Sequence, residues 1–194
     1  MTTKPRIYLA GPDLFFKDFE ERYARLKAAC QFAGFEGVAP VDGFSLDTSL
    51  VDNEDVHPGS RPHSFGSPPP MLAQAIYRHN ITTLEGCDAV LANLGAFRGT
   101  EPDSGTVFEA SYAFSKGIPV AAYTFDGLST SDRHLLIRKT FIDQSAALCD
   151  REDGGLIENF GLPANLMLAL SFPVMQTPQQ ALERLVAAGL RELV

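Results

Sequence analysis

Ala92-Asn-Leu-Gly-Ala-Phe-Arg-Gly-Thr-Glu-Pro-Asp-Ser-Gly-Thr-Val-Phe-Glu-Ala-Ser-Tyr-Ala-Phe-Ser-Lys-Gly-Ile-Pro-Val-Ala-Ala-Tyr123 carries, in order, the end of a buried strand, a polar loop, a helix and a second buried strand. The apolar run Ala89 to Leu94 is short enough for a strand covered on both faces. Phe97 to Pro102 holds turn residues, and Gly117-Ile-Pro stops the helix before Val120 to Tyr123. That order is a βαβ unit. In such units the ligand crevice lies at the carboxyl ends of the strands, where Phe97, Arg98, Asp103 and the first turns of the helix fall.

Two acids stand out in this unit. If Asp103 or Ser104 caps the helix, Glu109 lies in its second turn. Because Cβ atoms tilt toward the helix start, the Glu109 carboxylate then points back toward Asp103. Gly105, Thr106 and Ala113 beside it are small enough to leave a ligand room. The helix dipole favours an ionised Glu109, while a neighbouring acid and partial burial push one of the pair toward holding a proton. A nucleophile beside an acid is what glycosyl transfer with retention needs. The same two acids are also ordinary stabilisers of a helix start, and spacing alone does not separate the two readings.

Outward from this unit, Arg6-Ile-Tyr-Leu-Ala-Gly-Pro is a first parallel strand ending in a turn, which puts Tyr8 and Gly11 near the crevice. No G-x-G-x-x-G follows it and no G-x-x-x-x-G-K-[ST] occurs, so nucleotide cofactors are not expected. Asp18 to Phe32 carries a helical stripe of Phe19, Tyr23, Leu26, Ala29 and Cys30, and Gly37-Val-Ala-Pro is a short second strand. Val41 to Pro70, rich in Asp, Ser, Gly and Pro, is expected to be a functional lid or rim. His57 and His63 within it lack a third ligand in register, so no metal is expected. Met71 to Leu84 is helical, with Leu72, Ala75, Ile76, His79 and Thr83 on one face and Asn80 late in it. Beyond Tyr123, Ser131 to Phe141 is expected to be helical and Asp143 to Gly155 a polar connection. A helix with Pro163 in its first turn and a final packing helix from Thr177 to Ala188 complete the chain.

The 194 residues, 45% hydrophobic, are expected to form one domain over 1–194. A formal net charge of −8 without a basic block argues against nucleic acid or an anionic membrane as partner and leaves small neutral ligands open. Cys30, Cys87 and Cys149 form no Cys-x-x-Cys pair, so neither a disulfide framework nor a zinc site is indicated. The N-terminus carries no signal or membrane run, and a cytoplasmic location is expected. No Gly-x-Ser-x-Gly elbow is present. The architecture expected is a three-layer α/β sandwich, flavodoxin-like, with about five mostly parallel strands.

Three motifs in order, Ile7-Tyr-Leu-Ala-Gly-Pro, Phe97-Arg-Gly-Thr-Glu-Pro-Asp-Ser-Gly-Thr-Val-Phe-Glu and Phe160-Gly-Leu-Pro-Ala-Asn-Leu-Met-Leu, resemble the nucleoside 2-deoxyribosyltransferase family. The resemblance spans most of residues 5 to 172. It implies transfer of 2-deoxyribose between nucleobases, with Glu109 as the nucleophile that forms a covalent glycosyl intermediate and Tyr8 hydrogen-bonded to it. It also implies that Gly11 allows close approach of the ligand. Asn165 would bind the sugar 5′-hydroxyl of a neighbouring subunit's site, with Met167 on the same wall, so a homo-oligomer acting on free deoxynucleosides and nucleobases is expected. The best-known branch of the family has an aspartate where this chain has Asn80. An amide supplies no proton at neutral pH, so proton transfer to the leaving base falls to Asp103 and Asn80 is left to position the base. Asp42 is a candidate base contact or a turn former, and Asn93 a residue that orients the following loop. Phe97 is a candidate wall against the base, and Arg98 a donor or an ion-pair partner of Glu101 or Asp103. Two other functions fit the same residues, an N-glycoside hydrolase on nucleosides or deoxynucleoside 5′-monophosphates and a non-catalytic nucleotide sensor. The familiar small members of the family end in a carboxylate that reaches the site, which the longer tail here puts in question.

Overall fold

The computed structural model describes residues 4–44, 70–138 and 140–190. The rim expected over 41–70 lies largely outside them, as do His57 and His63. Five strands, β1 (Arg6–Ala10), β2 (Glu36–Val38), β3 (Ala89–Asn93), β4 (Val120–Tyr123) and β7 (Val174–Met175), form one sheet in the order β2-β1-β3-β4-β7. Every pairing in it is parallel. This is the doubly wound order expected from the sequence, and its carboxyl edge is where ligands bind in such sheets.

The period-2 alternation of β1 sorts the core into two layers. Ile7 and Leu9 face α1 (Phe19–Phe32) and α6 (Pro178–Ala187), meeting Tyr23, Leu26 and Cys30 from the first and Ala181, Leu182 and Leu185 from the second. Tyr8 and Ala10 face the opposite layer, α2 (Pro70–Glu85), α3 (Ser104–Ser115) and α5 (Leu166–Ser171). There Ala110 and Ala113 present only methyl groups to Ala92, Val90 and Ala122, so α3 packs close to the sheet. Every residue of β3 is buried, the reason its sequence is a continuous apolar run rather than an alternation. The α6 start is fixed by a reciprocal capping box between Thr177 and Gln180, with Pro178 in its first turn.

The chain after β4 departs from the sequence expectation. The helix expected over Ser131 to Phe141 is α4 (Thr130–Ile137), and Phe141 instead lies in β5 (Thr140–Ile142). The expected polar connection contains β6 (Leu148–Asp150), antiparallel to β5 with Phe141 opposite Cys149. Asp143 builds the turn between them: its carboxylate accepts from the backbone amides of Ser145 and Ala147 at 2.9 and 2.8 Å, and Ala146 takes a left-handed φ of 63°. Arg138, the residue that closes α4, bonds Asp150 at 2.8 Å and Glu152 at 3.0 Å, which docks the hairpin. Pro163 also lies ahead of its helix rather than inside it. Asn165 is the cap of α5, accepting from the Met167 amide, while the Pro163 carbonyl accepts from Arg133. Among the described residues no helix is long and apolar enough to cross a membrane.

Candidate active site

Three elements converge on one carboxylate. Asp103 caps α3, its Oδ2 accepting from the Thr106 amide at 2.9 Å and the Thr106 hydroxyl at 3.0 Å, and this fixes the first turn. Glu109 follows one turn later, on the side of α3 that looks back along the crevice. Its Oε1 accepts from the Tyr8 hydroxyl of β1 at 2.7 Å and lies 3.4 Å from the Asn80 amide nitrogen of α2. Tyr8 is able to reach because the strand alternation turns it toward the α3 layer. No hydrogen bond engages the second oxygen, Oε2, among the described residues. One oxygen is therefore held while the other is unengaged.

Burial raises the Glu109 carboxyl to about 7, and the nearby Asp103 charge adds to this. The hydrogen bonds from Tyr8 and Asn80 pull in the opposite direction. Tyr8 itself is raised well above the usual tyrosine range, first by burial and then by the Glu109 charge, so its hydroxyl keeps its proton and remains a donor. A part-buried acid poised near neutrality at a carboxyl edge is a functional candidate on physical grounds.

The second set of candidates lies on the loops that leave β1 and β3. Asn93 is buried at the end of β3. Its carbonyl oxygen accepts from the Gly95 amide at 3.1 Å, and its amide nitrogen is 3.3 Å from Asp13 Oδ2. Phe97 is half-buried and stacks on Phe15 with centroids 5.5 Å apart, while Phe16 meets it edge-on at 6.0 Å. Arg98, at a left-handed φ of 54°, does not pair with Glu101 or Asp103. Its guanidinium lies 4.6 Å from the Phe97 ring centre and 5.5 Å from that of Phe15. Gly11 has an extended backbone, so its need for a bare Cα is spatial. A Cβ there would stand 2.6 Å from Asp13 Oδ2 and 3.1 Å from the Asn93 Cβ.

Other candidates have structural partners in this chain. Asp42 accepts from the Ala39 amide at 2.8 Å and pairs with Lys27 at 2.7 Å, closing the turn after β2. Asn165, besides capping α5, donates to Glu158 at 2.7 Å. Within the chain it makes no hydrogen bond to Tyr8, Asn80 or Glu109. Met167 is 68% exposed. Asp13, Phe15 and Phe16 were not singled out from sequence. A Pro-Asp pair after a glycine looks like an ordinary turn, and only its 4% exposure marks Asp13 as unusual. The two consecutive phenylalanines in that turn were the available signal.

Comparison with known proteins bears on this site. A family model described as nucleoside 2-deoxyribosyltransferase matches residues 7–167. An uncharacterized protein of Schizosaccharomyces pombe is 25% identical over 204 residues, covering 94% of this chain and 89% of that protein. A solved structure of a 2-desoxiribosyltransferase from Leishmania mexicana is 27% identical, with a TM-score of 0.66, over 94% of this chain and 97% of that one. A conserved protein from Enterococcus faecalis V583, 18% identical with a TM-score of 0.54 over 96% of this chain and 99% of its own, shares the fold.

Proposed function

The chain belongs to the nucleoside 2-deoxyribosyltransferase family, and from that premise we propose that it moves 2-deoxyribose from a deoxynucleoside to another nucleobase through a glycosyl-Glu109 intermediate. The observation that carries this reading is the state of Glu109, with one oxygen held by Tyr8 and Asn80 and the other unengaged. The free oxygen attacks C1′, the C1′–N bond breaks, and its electron pair leaves with the base. A water ordered by the Asp103 carboxylate, which is tied as an acceptor to Thr106, supplies the proton that the base takes up. An incoming base then attacks C1′, gives its N–H proton back to the water site beside Asp103 and releases the carboxylate, and two inversions give net retention. Asn80 steadies both Glu109 and the base, since its amide has no proton to give. Phe97, Phe15 and Phe16 form the apolar wall for the base, and the absence of a 2′-hydroxyl lets the sugar sit against Glu109.

Incubation with deoxyinosine and adenine should yield deoxyadenosine by chromatography. Release of hypoxanthine without any exchange would replace transfer with hydrolysis, and no change in either compound would remove the enzymatic reading. The pH profile follows from the Glu109 carboxyl. Attack needs the ionised form, and the group titrates near 7. kcat/KM should therefore be level above about pH 8 and fall roughly tenfold per pH unit below about 7. A limb near 4.5 would place the nucleophile elsewhere.

Completion of the site by a second copy is part of the same proposal. Met167 and Leu170 of α5 are 68% and 74% exposed, and Phe108 and Phe114 of α3 are 48% and 51% exposed. Exposed apolar side chains on these neighbouring helices offer a surface for a second copy to cover. A second copy packed here would deliver Asn165 to the sugar 5′-hydroxyl. Size-exclusion chromatography with light scattering should show a dimer or larger, and Leu170→Asp should shift it to monomer and abolish exchange together. A monomeric wild type that exchanges bases at full rate would sink this part.

A further inference from the structure

We propose that Asp13 is a positioning residue that locks together the two loops bearing the aromatic wall and so sets the affinity for the nucleobase. The inference rests on the base-exchange reading above. Phe15 and Phe16 belong to the short 3-10 turn Pro12–Phe15 and its next residue, after β1, whereas Phe97 belongs to the loop after β3. The pairing of β1 with β3 ends at Ala10 and Ala92, and beyond it no strand joins these loops, which are about 80 residues apart in the chain. The Asp13–Asn93 contact at 3.3 Å bridges that gap, and Asn93 passes the restraint on through the Gly95 amide two residues before Phe97.

The surroundings of Asp13 are built to hold it. It is 4% exposed. Its other oxygen lies 3.5 Å from the Arg22 guanidinium, which is anchored by Asp18 at 2.9 Å and lies 3.9 Å from the centre of the Phe16 ring. Arg22 thus ties Asp13 and one of the three rings to α1. Gly11 takes part as well, because any side chain there would collide with the Asp13 carboxylate and with Asn93. The bare Cα at position 11 serves this link. Phe97 stacks on Phe15 and meets Phe16 edge-on, so a shift of one loop would misalign all three rings. Asp13 contacts neither Glu109 nor Tyr8, and its effect falls on binding of the base rather than on bond-making.

The test is a set of near-isosteric variants assayed for deoxyinosine–adenine exchange, with melting curves as a control for folding. Asn93→Asp sets two carboxylates against each other, and it should raise KM for adenine about tenfold with a much smaller change in kcat. Adding Asp13→Asn to it reverses donor and acceptor and should bring KM most of the way back. Asp13→Ala should raise KM like Asn93→Asp. An unchanged KM in both single variants, or a swapped pair no better than Asn93→Asp alone, would overturn the assignment. So would losses confined to kcat that track the melting temperature, which is the pattern of a merely structural residue. A wild type without exchange would instead bring down the functional reading itself.

Discussion

Glu109→Gln is expected to lower base exchange by about four to six orders of magnitude, the scale at which removal of a covalent nucleophile is felt. Glutamine has nearly the same shape, and its carbonyl oxygen can still accept from Tyr8 and Asn80, so the site should keep its form and still bind nucleoside. A denatured sample of the wild type quenched during turnover should carry a deoxyribosyl adduct on the peptide containing residue 109, and the variant should carry none. A nucleotide sensor would lose nothing measurable, and persistence of turnover in this variant would eliminate Glu109 as the attacking group. The substitution should also stabilise the fold, with a sign set by titration. Glu109 moves from 4.5 to about 7 on folding, so the native state holds its proton more tightly than the unfolded chain. Linkage then makes wild-type stability decline as pH rises from about 4.5 to about 7. Glutamine has no such dependence. At pH 8 the variant should melt above the wild type, and the gap should shrink through that window to its minimum below pH 4.5.

The second large effect belongs to Tyr8→Phe. The phenol is fully buried and loses only its hydroxyl, so packing against Val90 and Ala92 is retained. What disappears is the 2.7 Å donor to Glu109. That bond pulls the carboxyl downward against burial, so without it the Glu109 pKa climbs further above about 7 and less nucleophile is ionised at neutrality. kcat/KM at pH 7 should fall by about ten- to a hundredfold, the cost of a lost hydrogen bond to a charged group. The acidic limb should move to higher pH, so that the deficit narrows at pH 9. A deficit independent of pH would mean that Tyr8 acts on substrate rather than through the carboxylate.

β1, β3 and β4 were legible because they are apolar runs bounded by Gly and Pro, and α3 because it begins with an Asp-Ser-Gly-Thr cap, whereas the two residues of β7 carry no pattern to read. Helix geometry singled out Glu109 and Asp103 without separating a reacting pair from ordinary helix-start acids, and Tyr8 came from its place on the first strand; for all three the family resemblance supplied the candidate role. The hairpin β5–β6 was not legible, since three-residue strands carry too little periodicity and Leu135-Leu136-Ile137, the end of α4, is followed closely by the apolar Phe141 with no Gly or Pro between them. Asp13 escaped for another reason. Its local sequence is that of a turn, and its burial arises only when α1 and β3 close over it. Asp42 and Asn165 show the converse: polar residues next to predicted element ends whose side chains, within this chain, are spent on the turn and the cap that they form.

The Glu109 carboxylate is gripped from β1 and from α2, across separations of 101 and 29 residues. It is therefore a gauge of whether the topology is complete. Loosening α2 alone should weaken the proposed base exchange while leaving most of the far-ultraviolet circular dichroism intact. Turnover under mild denaturant should thus mark the docking of that helix and not the survival of the sheet.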